Sequence, residues 1–258
     1  NETLRQHDGT AIVLAVSPGG LVEISDDGSA WDAVFAANDK ASMVRITPDL
    51  DKLDLSLRRV VSIDKLSADD SGRTVGPKAA KLAELLKHYP EAVSRGVAIP
   101  FGVFKAIALD QPHPDGGTLF EWMKAQYARL AALPEDSPTR KEQTEQFRAE
   151  LYQYIFDTKL PADFKADLRQ ALNAALGHEP VGLFVRSDTN VEDLAGFTGA
   201  GLNLTLPNVI DFDRLLDSIT RVWASPFTAR AFAWRQSHMA APELVYPSFL
   251  LLVCVGSD

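Results

Sequence analysis

Cysteine is almost missing from this chain, with Cys254 the single one among 258 residues. One thiol excludes an internal disulfide and suits a reducing, cytoplasmic compartment. Long apolar runs are missing as well. None reaches the roughly 18 residues that a bilayer-spanning helix needs, so no membrane partner is expected. Positive charge is in deficit, 26 Lys and Arg against 35 Asp and Glu, a net charge of −9. That balance argues against a general nucleic-acid or anionic-membrane surface, yet leaves room for a local basic pocket. The sequence has no Cys/His cluster at metal-ligand spacing and no internal repeat. Nor does NETLRQHDGT carry a charged-then-apolar leader or an initiator Met. With Gly256-Ser257-Asp258 directly after a strand, the chain reads as a piece of something longer. His7, His88, His113, His178 and His238 sit in unrelated contexts, and none is assigned a role.

What is present suffices for a core. Apolar residues make up 46% and charged residues 24%, ordinary for a globular chain of one large domain or two modest ones. Residues 1–66 read as a small β-rich segment, with strands at Thr10–Val16, Leu21–Ile24 and Val60–Ile63, the first two separated by the turn Ser17-Pro18-Gly19-Gly20. From residue 67 to 258 helical patterns prevail. Pro77 suits the first turn of a helix whose Ala79, Leu82, Leu85 and Leu86 share a face. Gly96–Phe104 reads as a strand with a proline turn. Helices are expected over Leu119–Leu133, Lys141–Phe156, Ala162–Leu176, Phe212–Trp223 and Thr228–His238, and a fully buried strand over Phe249–Val253. Leu202–Leu206 is extended and stopped by Pro207-Asn208.

Val181 to Gly201, VGLFVRSDTNVEDLAGFTGAG, is the stretch the rest is organised around. A short apolar strand delivers Arg186 to a polar cluster, Ser187 to Asn190, then the acidic pair Glu192-Asp193 and a loop with Gly196, Gly199 and Gly201. Guanidinium forks match phosphate oxygens, and glycines let backbone N–H groups approach, so the stretch suits a polyphosphate. It equally suits an Arg–carboxylate pair stapling a loop. Lys78 poses a matching question. A cation in a helix's first turn opposes the macrodipole; either it is a solvated surface lysine, or an anion is shared between it and the helix end.

Together these pieces resemble the nucleotide-binding domain of the pyruvate phosphate dikinase, phosphoenolpyruvate synthase and glucan water dikinase superfamily. Gly76-Pro77-Lys78-Ala79-Ala80-Lys81-Leu82 is similar to its G-G-K-x-A-x-L entry motif, and Val97 to Phe104 to its V-x-x-P-x-G element in the form found in starch dikinases. Val185-Arg186-Ser187-Asp188 with Glu192-Asp193-Leu194 and Gly199 resembles V-R-S-S-x-x-x-E-D-L and its glycine loop. Val222-Trp223-Ala224-Ser225 and Arg230-Ala231-Phe232 resemble the W-A-S and R-A elements.

The resemblance implies an α/β (α+β), ATP-grasp-like fold of which residues 67–258 form the N-terminal lobe. It implies ATP and Mg²⁺ as cofactors, and transfer of the β-phosphoryl group of ATP to a histidine on a mobile domain and thence to an acceptor such as pyruvate, water, a glucan or a drug. Catalytic and nucleotide-binding roles carry over to Lys78 and Arg186, and nucleotide-binding roles to Ser187, Gly199 and Gly201. The partners implied are a nucleotide, a second ATP-grasp lobe that would supply the metal-binding acid, and a phosphohistidine domain, of which residues 1–66 would be the tail. The chain by itself is expected to bind nucleotide weakly and catalyse nothing.

The departures are specific. Pro77 replaces a glycine and removes one N–H donor. Asp188 replaces the second serine, where a carboxylate either ligates Mg²⁺ or repels ATP. Gly199-Ala200-Gly201-Leu202-Asn203 and Val253-Cys254-Val255 replace glutamine-bearing segments. Pro77, Asp188 and Cys254 support a second expectation, a degenerate relative acting as a scaffold or regulator.

Overall fold

A computed structural model of the chain describes residues 12–16, 22–25, 45–178, 181–192, 194, 202 and 204–254. The chain divides into two compact units, Asn1–Val44 and Arg45–Asp258. In the first, strands β1 (Val13–Val16) and β2 (Val22–Ser25) pair antiparallel, Val13 opposite Ser25 and Val16 opposite Val22. The expected Ser17–Gly20 turn lies outside the described residues.

The larger unit is built on five strands, β3 (Val61–Ser62), β4 (Gly96–Ile99), β5 (Leu183–Thr189), β6 (Thr205–Val209) and β7 (Pro247–Val253), in the order β3-β4-β7-β5-β6. Every pairing is antiparallel. β4 and β7, at and next to the centre, are the apolar runs GVAI and PSFLLLV, buried along nearly their whole length. Strands buried on both faces need cover on both, and the sheet has it.

On one face lies helix α1 (Pro77–His88). Its packing surface is Ala79, Ala80 and Ala83, all fully buried against Ile63, Leu66, Ala98, Leu250 and Leu252. The leucine stripe expected from periodicity is a rim instead: Leu85 is 47% exposed, and Leu82 and Leu86 are half-buried. Small side chains bring the helix close to the sheet, and that proximity leaves no room for leucines between them.

On the other face lie the remaining helices: α2 (Phe101–Phe104), α3 (Leu119–Ala131), α4 (Pro138–Phe156), α5 (Ala162–Leu176), α6 (Phe212–Ala224) and α7 (Ala229–His238). Their apolar sides meet the sheet in one core around Trp223, which is fully buried 5.6 Å from the Phe104 ring and 5.7 Å from that of Phe249. Local signals set the boundaries. Thr118 and Glu121 form a reciprocal capping box on α3, Ser137 accepts from Arg140 N–H ahead of Pro138, and α5 ends at Gly177 with φ +87°.

Three sequence expectations shift. After Pro100 the chain turns helical at once and continues through a wide turn, Lys105–Leu109, in which Asp110 N–H donates to the Lys105 carbonyl at 2.8 Å. Pro207 and Asn208 lie within β6 rather than ending it, because an edge strand can leave a proline's missing N–H facing outward. β5 does not stop at Val185; it runs through the polar cluster to Thr189.

Candidate functional site

The candidate site is built where the N-terminus of α1 meets β5. Strand alternation divides β5. Phe184, Arg186 and Asp188 face α1, while Leu183, Val185, Ser187 and Thr189 face the other helices. The polar cluster is therefore strand and buried, held by its pairing with Pro247–Phe249 of β7.

Asp188 is fully buried, and such a carboxylate demands compensation. One oxygen accepts from Ala79 N–H at 3.0 Å, in the first turn of α1, and the other lies 3.9 Å from the Lys78 ammonium. The anion shared by Lys78 and the helix end thus exists, and the chain supplies it. Gly76 makes the arrangement possible: a Cβ there would sit 2.2 Å from the Asp188 carboxyl carbon. Gly76 N–H donates to Ser248 Oγ at 3.0 Å, and Ser248 Oγ donates to the Asp188 carbonyl, which pins the helix entry to β7 and β5.

Lys78 is no freely solvated surface lysine. Its side chain is 30% exposed, its Nζ donates to the Ser187 carbonyl at 3.3 Å, and it forms an ion pair with Glu192, whose side chain is nearly buried. Glu192 competes for the charge that an incoming phosphate would need.

Arg186 is half-buried on the same face, paired in register with Leu250 on one side and Thr205 on the other. Among the described residues none forms an ion pair with it, and its buried Nε has no partner. The loop-stapling alternative finds no carboxylate among the described residues, and Asp193 lies outside them.

Lys78 and Arg186 are brought onto one face, where Lys78 Nζ reaches the carbonyl of Ser187, the residue next to Arg186 in β5. The Ser187 hydroxyl points to the opposite face and is buried without a hydrogen-bond partner among the described residues. Gly199 and Gly201 lie outside the described residues. Sequence reasoning grouped Asn190 with the loop, whereas the structure makes it a brace. Its side-chain amide donates to the Leu244 carbonyl at 3.0 Å and accepts from Tyr246 N–H at 2.8 Å, tying the end of β5 to the approach to β7. The sequence carried no signal for it, because Arg186-Ser187-Asp188-Thr189 is a run of polar residues without apolar alternation. His113, left unassigned, packs flat on Trp122 at 4.7 Å and against Tyr154 at 4.9 Å.

A layered domain of mixed helix and sheet, with a lysine in a helix's first turn and an arginine on the strand beneath it, is of the kind that binds nucleotides. Comparison with known proteins sharpens this: residues 72–258 match the family described as pyruvate phosphate dikinase, AMP/ATP-binding domain, and the chain belongs to that family. It is 30% identical over 177 residues to a phosphoenolpyruvate synthase of Pseudomonas aeruginosa, covering 68% of this chain and 21% of the relative. It is 27% identical over 209 residues to a probable phosphoenolpyruvate synthase of Methanothermobacter thermautotrophicus, covering 80% and 28%. A rifampicin phosphotransferase of a Streptomyces species is 30% identical over 181 residues, covering 70% and 19%. The chain thus spans about a fifth to a quarter of the length of these relatives. No helix of the described residues is long and apolar enough to cross a membrane.

Proposed function

We propose that this chain is the N-terminal, ATP-holding lobe of a dikinase-type phosphotransferase, with Lys78 and Arg186 as its phosphate-binding cations. The observation that carries the reading is Arg186, a half-buried guanidinium with no ion-pair partner among the described residues, on the face where Lys78 reaches the adjacent carbonyl. Two fixed cations side by side would neutralise charge on a polyphosphate and hold it for in-line transfer. Gly199 and Gly201 would bring backbone N–H groups to the same nucleotide. Ser187 would contribute through its backbone, since its hydroxyl faces away.

Among the described residues no group of three or more His, Cys, Asp or Glu side chains is placed to hold a metal. Asp188 is committed to Ala79 and Lys78, so Mg²⁺ is proposed to arrive with the nucleotide's phosphates and the ligands of a second ATP-grasp lobe. The finer reading follows the family resemblance: β-phosphoryl transfer to a histidine on a mobile domain, an acceptor chosen elsewhere, a cytoplasmic enzyme, motif detail nearest the glucan water dikinases. The β-rich segment drawn over residues 1–66 is proposed as the tail of the phosphohistidine domain, on chain order alone. Phosphoenolpyruvate synthase and rifampicin phosphotransferase relatives leave both a small-metabolite and a drug acceptor in play.

The test is calorimetric titration of ATP, with and without Mg²⁺, into wild type, Lys78→Ala and Arg186→Ala. Weak binding that is lost in both variants supports the site; binding unchanged in either removes that residue's role. A scaffold is the second reading, favoured by one observation, that carboxylates of this chain already occupy both Lys78 and the α1 N-terminus. Glu192→Gln discriminates: an enzyme lobe gains ATP affinity once the competing carboxylate is neutral, whereas a degenerate site stays silent.

A further inference from the structure

One crevice carries charges of both signs that the proposed nucleotide site does not use. It measures about 630 Å³ and opens where the end of α4, the start of α5 and α6 meet, on the face of the sheet opposite to α1. Small-molecule sites span roughly 300–1,000 Å³. Its floor is apolar, formed by the half-buried side chains of Phe156, Leu160 and Leu216, which rest on the main core. Tyr152 stacks on Phe156 with ring centroids 5.8 Å apart. The Arg169 guanidinium lies 3.9 Å over the Phe212 ring and clasps α5 to the start of α6. The walls are thus held in place by packing that needs no ligand.

Three charged residues of the crevice follow one another at four-residue spacing on α6: Asp213, Asp217 and Arg221. Residues four apart share a helix face, and two acids at that spacing repel. Neither acid forms an ion pair among the described residues, nor does Arg221, nor does Lys165 on the α5 wall, although all four line the same crevice. The third acid there, Asp157, accepts a hydrogen bond from the Gln153 amide at 2.7 Å. α6 therefore presents a negative half and then a positive half along one apolar floor. A cation seated between Asp213 and Asp217 relieves their repulsion, and an anion at Arg221 and Lys165 completes the pattern. A rise of about 1.5 Å per residue puts those two positions about 9 Å apart along the helix. A free α-amino acid is too short, because its ammonium and carboxylate share one Cα. An extended chain gains about 3.3–3.6 Å per residue, so the termini of a tripeptide match the spacing.

We propose that this crevice binds a short zwitterionic peptide with apolar side chains. Its ammonium end sits at Asp213 and Asp217, its carboxylate end at Arg221 and Lys165, and its side chains on Phe156, Leu160 and Leu216. The site stands independently of the ATP reading, since Lys78 and Arg186 lie on the other face of the sheet.

The probe is the tripeptide Leu-Gly-Leu with free termini, titrated into the full chain by calorimetry at constant ionic strength, beside its N-acetylated and C-amidated forms. The free peptide should bind saturably, with half-saturation below about 10 mM. Each blocked form should bind about twofold to fivefold more weakly, the worth of one exposed charge pair. Asp217→Asn and Arg221→Gln should weaken the free peptide by the same factor, and both side chains are exposed, so the variants keep the fold. Blocks and variants should not add: the acetylated peptide should not respond to Asp217→Asn, nor the amide to Arg221→Gln. Absence of saturable binding by the free peptide overturns the proposal, as does equal binding of the blocked forms. Binding that responds to the blocks but to neither variant also overturns it, by placing the peptide elsewhere on the protein.

Discussion

Substituting one hydrogen at Gly76 by a methyl group should unseat α1, and the structure fixes how much. Gly76 has φ −75° and ψ 173°, a conformation open to alanine, so no backbone strain enters. The cost is steric, since the new Cβ would lie 2.2 Å from the Asp188 carboxyl carbon and from one of its oxygens. Forcing a methyl into packed space costs about 1–3 kcal/mol. Displacing the carboxylate also breaks its charge-assisted bond with Ala79 N–H, worth about 1.5–3 kcal/mol. Gly76→Ala should therefore destabilise by roughly 3–5 kcal/mol. Asp188→Ala should cost about 2–3 kcal/mol through the orphaned N–H of Ala79 and the weakened hold on Lys78. In the double variant the methyl occupies space the carboxylate has left, so the total should stay near that of Asp188→Ala alone. The coupling energy then equals the cost of Gly76→Ala, about 3–5 kcal/mol, at or above the upper end for residues in contact. Urea unfolding of the four proteins measures it, followed by the fluorescence of Trp122, Trp223 and Trp234 in the larger unit. Additivity within about 0.5 kcal/mol, the level shown by independent sites, would refute the close contact and the assignment of Asp188 as the anion at this helix end.

Other outcomes follow from the same geometry. Glu192→Gln should tighten ATP binding about twofold to fivefold, as expected for releasing one partly exposed ion pair at Lys78; calorimetry reads it, and weakened binding would instead make Glu192 part of the nucleotide site. Asn190→Ala should cost about 2–3 kcal/mol, since it leaves Tyr246 N–H and the Leu244 carbonyl without their partners, and a thermal melt should fall by about 4–10 °C for a unit of this size. Trp223→Ala should cost about 3–5 kcal/mol by opening the main core, measured in the same melt. Hydrogen bonds from the Thr118 N–H and hydroxyl hold the Glu121 carboxyl below its usual value of 4.5. A folded pKa below the unfolded one gives stability that is complete above the unfolded value and lost as pH falls through the folded value. Wild type should therefore lose stability more steeply than Glu121→Gln as pH drops below about 4.5, and equal acid slopes would remove that role from the capping box.

Much of the architecture was legible in the residues. Pro77 and Gly177 mark helix boundaries by chemistry that acts within one turn, and α5 matches its expected span, Ala162–Leu176, whereas α4 begins at Pro138, ahead of the expected Lys141. Periodicity located the longer helices that pack on the sheet's second face, though not the short α2. It failed for α1, because a leucine stripe carries the period of the face but not the depth of the contact; Gly76 and the alanines set that depth. Pro207 misled for a related reason, as the cost of a proline in a strand depends on whether that strand lies at an edge.

The sequence by itself determined the family, through four short motifs in order, and with it Lys78 and Arg186 as the cations to examine. It also determined the helical segments, whose signals are local. Only the tertiary structure decided what surrounds those cations. Asp188 and Lys78 are 110 positions apart, and their meeting requires α1 to lie on β5. Phe156, Lys165 and Asp217 line one crevice because α4, α5 and α6 meet on the same face of the sheet. Hydrogen bonds within a helix turn are written into adjacent residues, whereas a buried charge is defined by the residues it meets across the fold.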